Sequence, residues 1–214
     1  NPDVCHRRRA KFLTEIFADL TAGNAMLNPK LTDIFIAMRK RKSIGGKEKP
    51  KDRNLSLDEI GDFFGLLRGL NNLSDGTRWA LYGCLLTGQR ASEVLGVSPD
   101  GVVRTKMDRD HQIPLTPHVR AWLKIHPTEL PRDHRVLSHA LRRLEQTFTP
   151  HDLRRTFASR LADLDVQPHV IEKMLDHQMI GVMAVYNRAT YWPERKAAQR
   201  LWGKTLRSLR REIS

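Results

Sequence analysis

The sequence predicts a mainly α domain carrying one small antiparallel β-sheet, an α+β architecture. Three observations point there. Apolar residues recur at helical spacing behind recognisable N-caps, as in residues 55–67 and 149–161. The run WALYGCLLT, residues 79–87, is apolar on nearly all sides, the mark of a helix at the centre of a domain. In GVVRTKMDRDHQIPL, residues 101–115, Val102-Val103 and Gln112-Ile113 flank a polar turn at 107–110, the pattern of a β-hairpin.

Taken in order, residues 7–22 read as an amphipathic helix with Phe12, Ile16 and Leu20 on one stripe, beside Leu13 and Phe17. Gly23-Asn24 stops it and Asn28-Pro29 breaks the pattern. This helix has little of its own sequence to pack on, so the chain is expected to begin partway through a longer protein. After a short apolar piece at 34–38, RKRKSIGGKEKPKDR (39–53) reads as an exposed basic linker, with Arg39, Lys40, Arg41 and Lys42 placed to cross a phosphate backbone. Three units are therefore expected: 1–28 a terminal helix of a truncated preceding domain, 29–54 the linker, and 55–214 the main domain with its C-terminal helix.

The main domain opens with Ser56 and Glu59 as a capping box, followed by Ile60, Phe63, Phe64 and Leu67 at helical spacing. The buried helix at 79–87 ends at Gly88, and a second begins just after Arg90. An arginine at the end of a buried helix is costly to desolvate unless an anion meets it. Glu93 can be that anion, or can hold Arg90 while its guanidinium faces a phosphate. In the hairpin, Lys106 sits near the turn, where a long side chain reaches across a cleft. Taken singly, Arg104, Lys106 and Arg109 all read as solvated surface. Helices follow near 117–125 and 137–146. Thr149 caps the next helix, with Pro150 at its first position and Asp152 three residues past the cap. Leu153, Phe157 and Leu161 form its buried face. His151 and Arg154 share the first turn, where helix N-termini favour anions. Residues 193–209 form the last helix, with Ala198, Leu201, Thr205 and Leu209 on one side and Trp202 nearby.

The formal net charge of +13 is unevenly spread. Residues 1–54 carry 13 basic and 6 acidic side chains, residues 55–150 carry 12 and 11, and residues 151–214 carry 12 and 7. A basic excess at both ends favours a polyanion, nucleic acid first. No apolar run is long enough to span a bilayer and no signal peptide opens the chain, so no membrane partner is expected. Cys5 and Cys84 form no C-x-x-C, consistent with free thiols in a reducing, cytoplasmic compartment. Nine histidines show no metal-ligand spacing, and no phosphate-binding G-x-x-x-x-G-K-[ST] loop occurs, so no cofactor is expected.

His151, Arg154, His177 and Tyr186 in that order suggest a phosphodiester site with a covalent nucleophile. A helical tyrosine is more often a core residue, so the weight rests on the set. Arg90 supplies its upstream anchor. The set lies in T-G-Q-R-A-S-E (87–93), R-T-K (104–106) with H-Q-I-P-L (111–115), H-D-L-R-R-T-F-A-S (151–159), L-D-H (175–177) and V-Y-N-R-A (185–189). From about residue 55 to 209 the chain resembles the catalytic domain of the tyrosine recombinases of the phage integrase family. The tail Y-W-P-E-R-K-A-A-Q-R-L-W (191–202) resembles that of satellite-prophage integrases, and residues 1–28 resemble the last helix of a core-binding domain.

The resemblance implies the tyrosine-recombinase catalytic-domain fold and site-specific DNA recombination. Tyr186 is then the nucleophile that forms a 3′-phosphotyrosyl bond, and Arg90 and Arg154 hold the phosphate. His151 shuttles the tyrosine proton, His177 donates to the phosphate, and Lys106 protonates the leaving 5′ oxygen. Glu93 supports Arg90, and Arg155 joins residues 39–42 in contacting DNA. Implied partners are a double-stranded attachment site, other protomers in a tetramer and accessory excision or DNA-bending proteins, at a bacterial nucleoid. A type IB topoisomerase-like relaxase, or a catalytically silent DNA-binding regulator of the same fold, would share most of these residues.

Overall fold

Helix α2 (Asp75–Thr87) occupies the middle of the domain, and its C-terminal end shows how the rest is assembled. The computed structural model describes residues 53–69, 72–105, 108–177 and 189–212. These lie in one unit, Arg53–Ser214, which holds α1 (Leu57–Arg68), α2, α3 (Ala91–Leu95), β1 (Val102–Arg104), β2 (Asp110–Gln112), α4 (Pro117–Lys124), α5 (Arg135–Arg143), α6 (Pro150–Asp163), α7 (Pro168–Met174) and α8 (Trp192–Glu212). The expected helix at 7–22, the basic run 39–52, Lys106 and Tyr186 lie outside the described residues, and with them Arg39, Lys40, Arg41 and Lys42. No helix among the described residues is long and apolar enough to cross a membrane.

The last four carbonyls of an α-helix have no partner within it, so a buried helix end must find donors elsewhere. Around α2 each is met. Gly88, in the left-handed region at φ 68°, turns its N–H back to the Cys84 carbonyl. Trp202 Nε1 donates to Leu85 at 2.9 Å and Gln199 Nε2 to Leu86 at 2.8 Å, both from α8. Gln89 Nε2 donates to Thr87 at 3.1 Å. At the other end Trp79 and Trp122 of α4 stack at 4.5 Å, and each indole N–H donates to the other residue's carbonyl. Thus α2 is buried all round, with Leu81, Cys84, Leu85 and Leu86 fully inaccessible. Burial pushes the Cys84 thiol pKa up to about 12, so this cysteine stays protonated.

The capping box predicted at Ser56 and Glu59 is present, and the one at Thr149 and Asp152 likewise starts α6. Leu153, Phe157 and Leu161 of α6 are fully buried against α2. Phe157 packs edge-on to Trp202 and lies where a side chain on Gly88 would sit, 2.3 Å from an added Cβ. The hairpin pairs Val102 with Gln112, Val103 with His111 and Arg104 with Asp110. Two strands alone are marginal, and here Arg195 of α8 braces them by donating to the Gln112 carbonyl at 2.6 Å.

Two features differ from the sequence reading. The buried stripe of α8 runs through Arg195, Ala198, Gln199, Trp202 and Leu206, whereas Leu201 is 39% exposed. Trp202 sets the rotation, because its indole must reach the Leu85 carbonyl. Arg53 and Asn54, read as linker, are docked: Arg53 bonds Glu59 at 2.7 Å and Thr147 at 3.0 Å, and Asn54 bonds Ser159 at 3.0 Å.

Candidate active site

Arg154 follows from the register of α6. One residue beyond Leu153, it points into the seam between the end of α2 and the end of α7, and its side chain is only 3% exposed. There its guanidinium donates from Nη1 to the Gly88 carbonyl at 2.8 Å and from Nη2 to the Leu175 carbonyl at 2.7 Å. Nη2 also meets His177 Nε2 at 2.9 Å. Burial, then the nearby Arg90, pulls its pKa down to about 10, which leaves it cationic at neutral pH.

Arg90 is the N-cap of α3, directly after the turn at Gly88 and Gln89. Glu93, 2% exposed, accepts from the Arg90 backbone N–H at 2.8 Å with one carboxylate oxygen and from Nη1 at 2.6 Å with the other. The same carboxylate stands 3.9 Å from Arg154. One buried anion therefore sits between two cations. By sequence position alone, at the end of a buried helix, the desolvation cost falls on Arg90. The structure places it on Arg154, because Arg90 remains one-third exposed beside the cleft.

His177 is placed by the way α7 ends. The N–H of Asp176 returns to the Lys173 carbonyl and that of His177 to Glu172, the paired bonds that close a helix through a left-handed residue. That residue is usually glycine, but here it is Asp176 at φ 51°. The closure brings Glu172 back onto His177, with Oε2 2.7 Å from Nδ1. Asp176 in turn pairs with Arg109 of the hairpin at 3.0 Å. The Met174 carbonyl accepts from Gln89 at 2.9 Å and contacts His111 Nε2 at 3.1 Å. The loop bearing His177 is thus tied to the end of α2 and to β2.

His151 lies at the exposed rim. With Arg90, Ser92, His134, Ser138 and Arg154 it lines a cavity of about 250 Å³. Partial desolvation, then the cations Arg155 and Arg154, holds its pKa below the ordinary histidine value, so it is neutral at physiological pH and able to accept a proton. Arg155 pairs with Asp152 at 2.7 Å while about one-third exposed.

The structure thus brings together Arg90, Glu93, His151, Arg154 and His177. Lys106 and Tyr186 lie outside the described residues. Glu172, Gln89, Asp176 and His111 were missed by the sequence reading. Gln89, His111 and Asp176 stand inside the motifs at 87–93, 111–115 and 175–177, where they carried no assigned role, and the signal for Glu172 was an acid five residues before His177.

Residues 131–192 match the model of the phage integrase family, a span from just before α5 to the start of α8. Neither the curated proteins nor the solved structures contain a match.

Proposed function

From the match of residues 131–192 to the phage integrase family model, we propose that this chain is a site-specific recombinase that integrates or excises a mobile element. DNA breaking and rejoining of the tyrosine-recombinase type is the activity that this family carries. The finer reading is that Tyr186 cleaves one strand to a 3′-phosphotyrosyl intermediate and a free 5′ hydroxyl.

A phenol with a pKa near 10 is a weak nucleophile at neutral pH. It becomes competent when the charge that builds on the phosphate is met by fixed cations. Arg90 and Arg154, held on either side of Glu93, supply two planar guanidinium groups suited to paired phosphate oxygens. His151, neutral at the rim, takes the phenolic proton as the Tyr186 oxygen bonds to phosphorus. The P–O5′ bond breaks and the departing oxygen takes its proton from Lys106. The phosphotyrosyl ester conserves the bond energy, so attack by a 5′ hydroxyl reseals the strand without nucleotide hydrolysis.

The single observation that carries this reading is two guanidinium groups sharing one buried carboxylate beside a cavity that a neutral histidine also lines. Double-stranded DNA is then the substrate, and strand exchange requires further copies of the chain. The test is covalent trapping on a nicked attachment half-site, identified from direct repeats flanking the gene. The expected outcome is an adduct with the natural chain and none with Tyr186→Phe, while DNA affinity is nearly unchanged because phosphate contacts elsewhere dominate binding. An adduct of normal yield in Tyr186→Phe would remove that residue from the mechanism.

A further inference from the structure

The hydrogen bonds around His177 settle which of its nitrogens carries the proton. A guanidinium only donates, so the Nε2 that meets Arg154 Nη2 at 2.9 Å must offer a lone pair. An ionised carboxylate only accepts, so the Nδ1 that meets Glu172 Oε2 at 2.7 Å must carry the hydrogen. Both neighbours demand the same neutral tautomer, with the proton on Nδ1, so His177 has no N–H left for the phosphate donation that the resemblance implied. An imidazole left to itself in water prefers the other one.

Arg154 has a stake in this choice. Nη2 carries two hydrogens, and the Leu175 carbonyl and His177 Nε2 take both. With the proton on Nε2, the ring would turn an N–H toward a guanidinium N–H, and one of the two groups would have to move. Glu172 reaches the ring because of the backbone closure at Asp176. The helix stop sets positions 172 and 177 side by side, where such stops ordinarily place an apolar contact.

We propose that Glu172 is a positioning residue of the cleavage centre. It holds His177 in the Nδ1–H tautomer, and the Nε2 lone pair then fixes the guanidinium of Arg154 before DNA arrives. The proposal rests on the recombinase reading above for its catalytic consequence, but not for its structural one. Among the described residues Glu172 does not line the cavity, and its side chain is about half-exposed, so replacing it leaves the core intact.

Two measurements on the whole 214-residue chain test it. In the first, ¹⁵N chemical shifts of His177, assigned by their loss in His177→Asn, report the tautomer in the absence of DNA. Protonated Nδ1 and bare Nε2 are expected in the natural chain, a shift toward protonated Nε2 in Glu172→Ala, and retention of protonated Nδ1 in Glu172→Gln, whose amide oxygen still accepts. In the second, adduct formation on a nicked half-site is followed at saturating DNA. Glu172→Ala is expected to slow the chemical step by about tenfold or more, the usual scale for losing the partner that orients a functional histidine, with DNA affinity unchanged. Glu172→Gln should recover most of the rate. Protonated Nε2 in the natural chain, or a natural rate in Glu172→Ala, overturns the proposal. Absence of any adduct from the natural chain overturns the recombinase reading instead, and the ¹⁵N shifts then decide the positioning role alone.

Discussion

Arg90 and Arg154 are the same residue type at the same cleft, yet they are held in opposite ways. Arg90 stands at the start of a five-residue helix, one-third exposed, with Glu93 as its charged partner. Arg154 is enclosed, and its planar fork joins the end of α2 to the end of α7 through two backbone carbonyls and a histidine. The difference separates two tasks that share one chemistry. A cation at the rim can adjust to a ligand, whereas a buried one must first be satisfied by the protein, and in doing so it organises the loops around it. Arg154 is as much a part of the fold as of the site.

The largest expected effect tests that division directly. Arg154→Ala strips the Gly88 and Leu175 carbonyls of their donor in a place that water does not readily reach. Breaking such a buried charged network typically costs about 3–5 kcal/mol. In a domain of this size the melting temperature should fall by roughly 10 °C. Arg90→Ala removes a partly solvated pair, and Glu93 keeps the backbone N–H of residue 90 and the nearby Arg154, so the loss should be about 1 kcal/mol. Thermal or urea denaturation of both variants decides the matter. Equal losses would erase the distinction between a rim cation and a structural one.

A smaller effect concerns acid. His111 is buried behind the Arg154 end of the site, where burial first and then the cation Arg195 lower its pKa from 6.5 to about 4, against the opposing pull of Asp176 and the Met174 carbonyl. Arg109, paired to Asp176, adds a further cation to that surrounding. A base whose folded pKa is depressed binds fewer protons when folded than when unfolded. Stability is therefore full above pH 6.5 and is lost as pH falls toward 4, by at most about 3 kcal/mol from this group. His111→Gln keeps a donor for the Met174 carbonyl and does not titrate, so its stability should vary less across that window. Because Met174 precedes Leu175, amide exchange at 174–177 should quicken in mild acid before exchange at 90–95 does. The same pH slope in both proteins would assign the acid sensitivity to other groups.

What was legible in the sequence follows the range of the interactions involved. Caps at Ser56 and Thr149, the stop at Gly88 and the presence of the hairpin are local, so residue type and spacing suffice. The rotation of α8 was misread because it depends on one indole reaching a carbonyl 117 positions away. The candidate site was half legible. Arg90, His151, Arg154 and His177 stand out by type and order, but that Arg154 is the enclosed cation, and that Glu172 faces His177, depends on how α7 closes. That closure was hidden, as were two others. Helices α5, α6 and α7 stop through Glu145, Asp165 and Asp176 in the left-handed region, at φ 55°, 60° and 51°, where a sequence reading looks for glycine.

Those stops carry the last and smallest prediction, which returns to the two ends of the site. A non-glycine residue in the left-handed region costs about 1 kcal/mol relative to glycine, partly offset by glycine's greater freedom in the unfolded chain. At Asp165 the side chain is exposed and makes no ion pair among the described residues, so Asp165→Gly should stabilise by about 0.5–1 kcal/mol, roughly 2 °C in melting temperature. At Asp176 the same relief is opposed by loss of the Arg109 pair, which joins the His111 contact with the Met174 carbonyl in tying the hairpin to the His177 loop. Asp176→Gly should therefore leave stability nearly unchanged while amide exchange at 109–112 quickens. A double-mutant cycle with Arg109→Ala isolates the pair, and a coupling of about 0.5 kcal/mol is expected for two partly solvated side chains. Zero coupling, with equal stabilisation at both stops, would mean that Asp176 is simply a poor glycine and that the His111 contact with the Met174 carbonyl alone ties the Arg154 end to the hairpin.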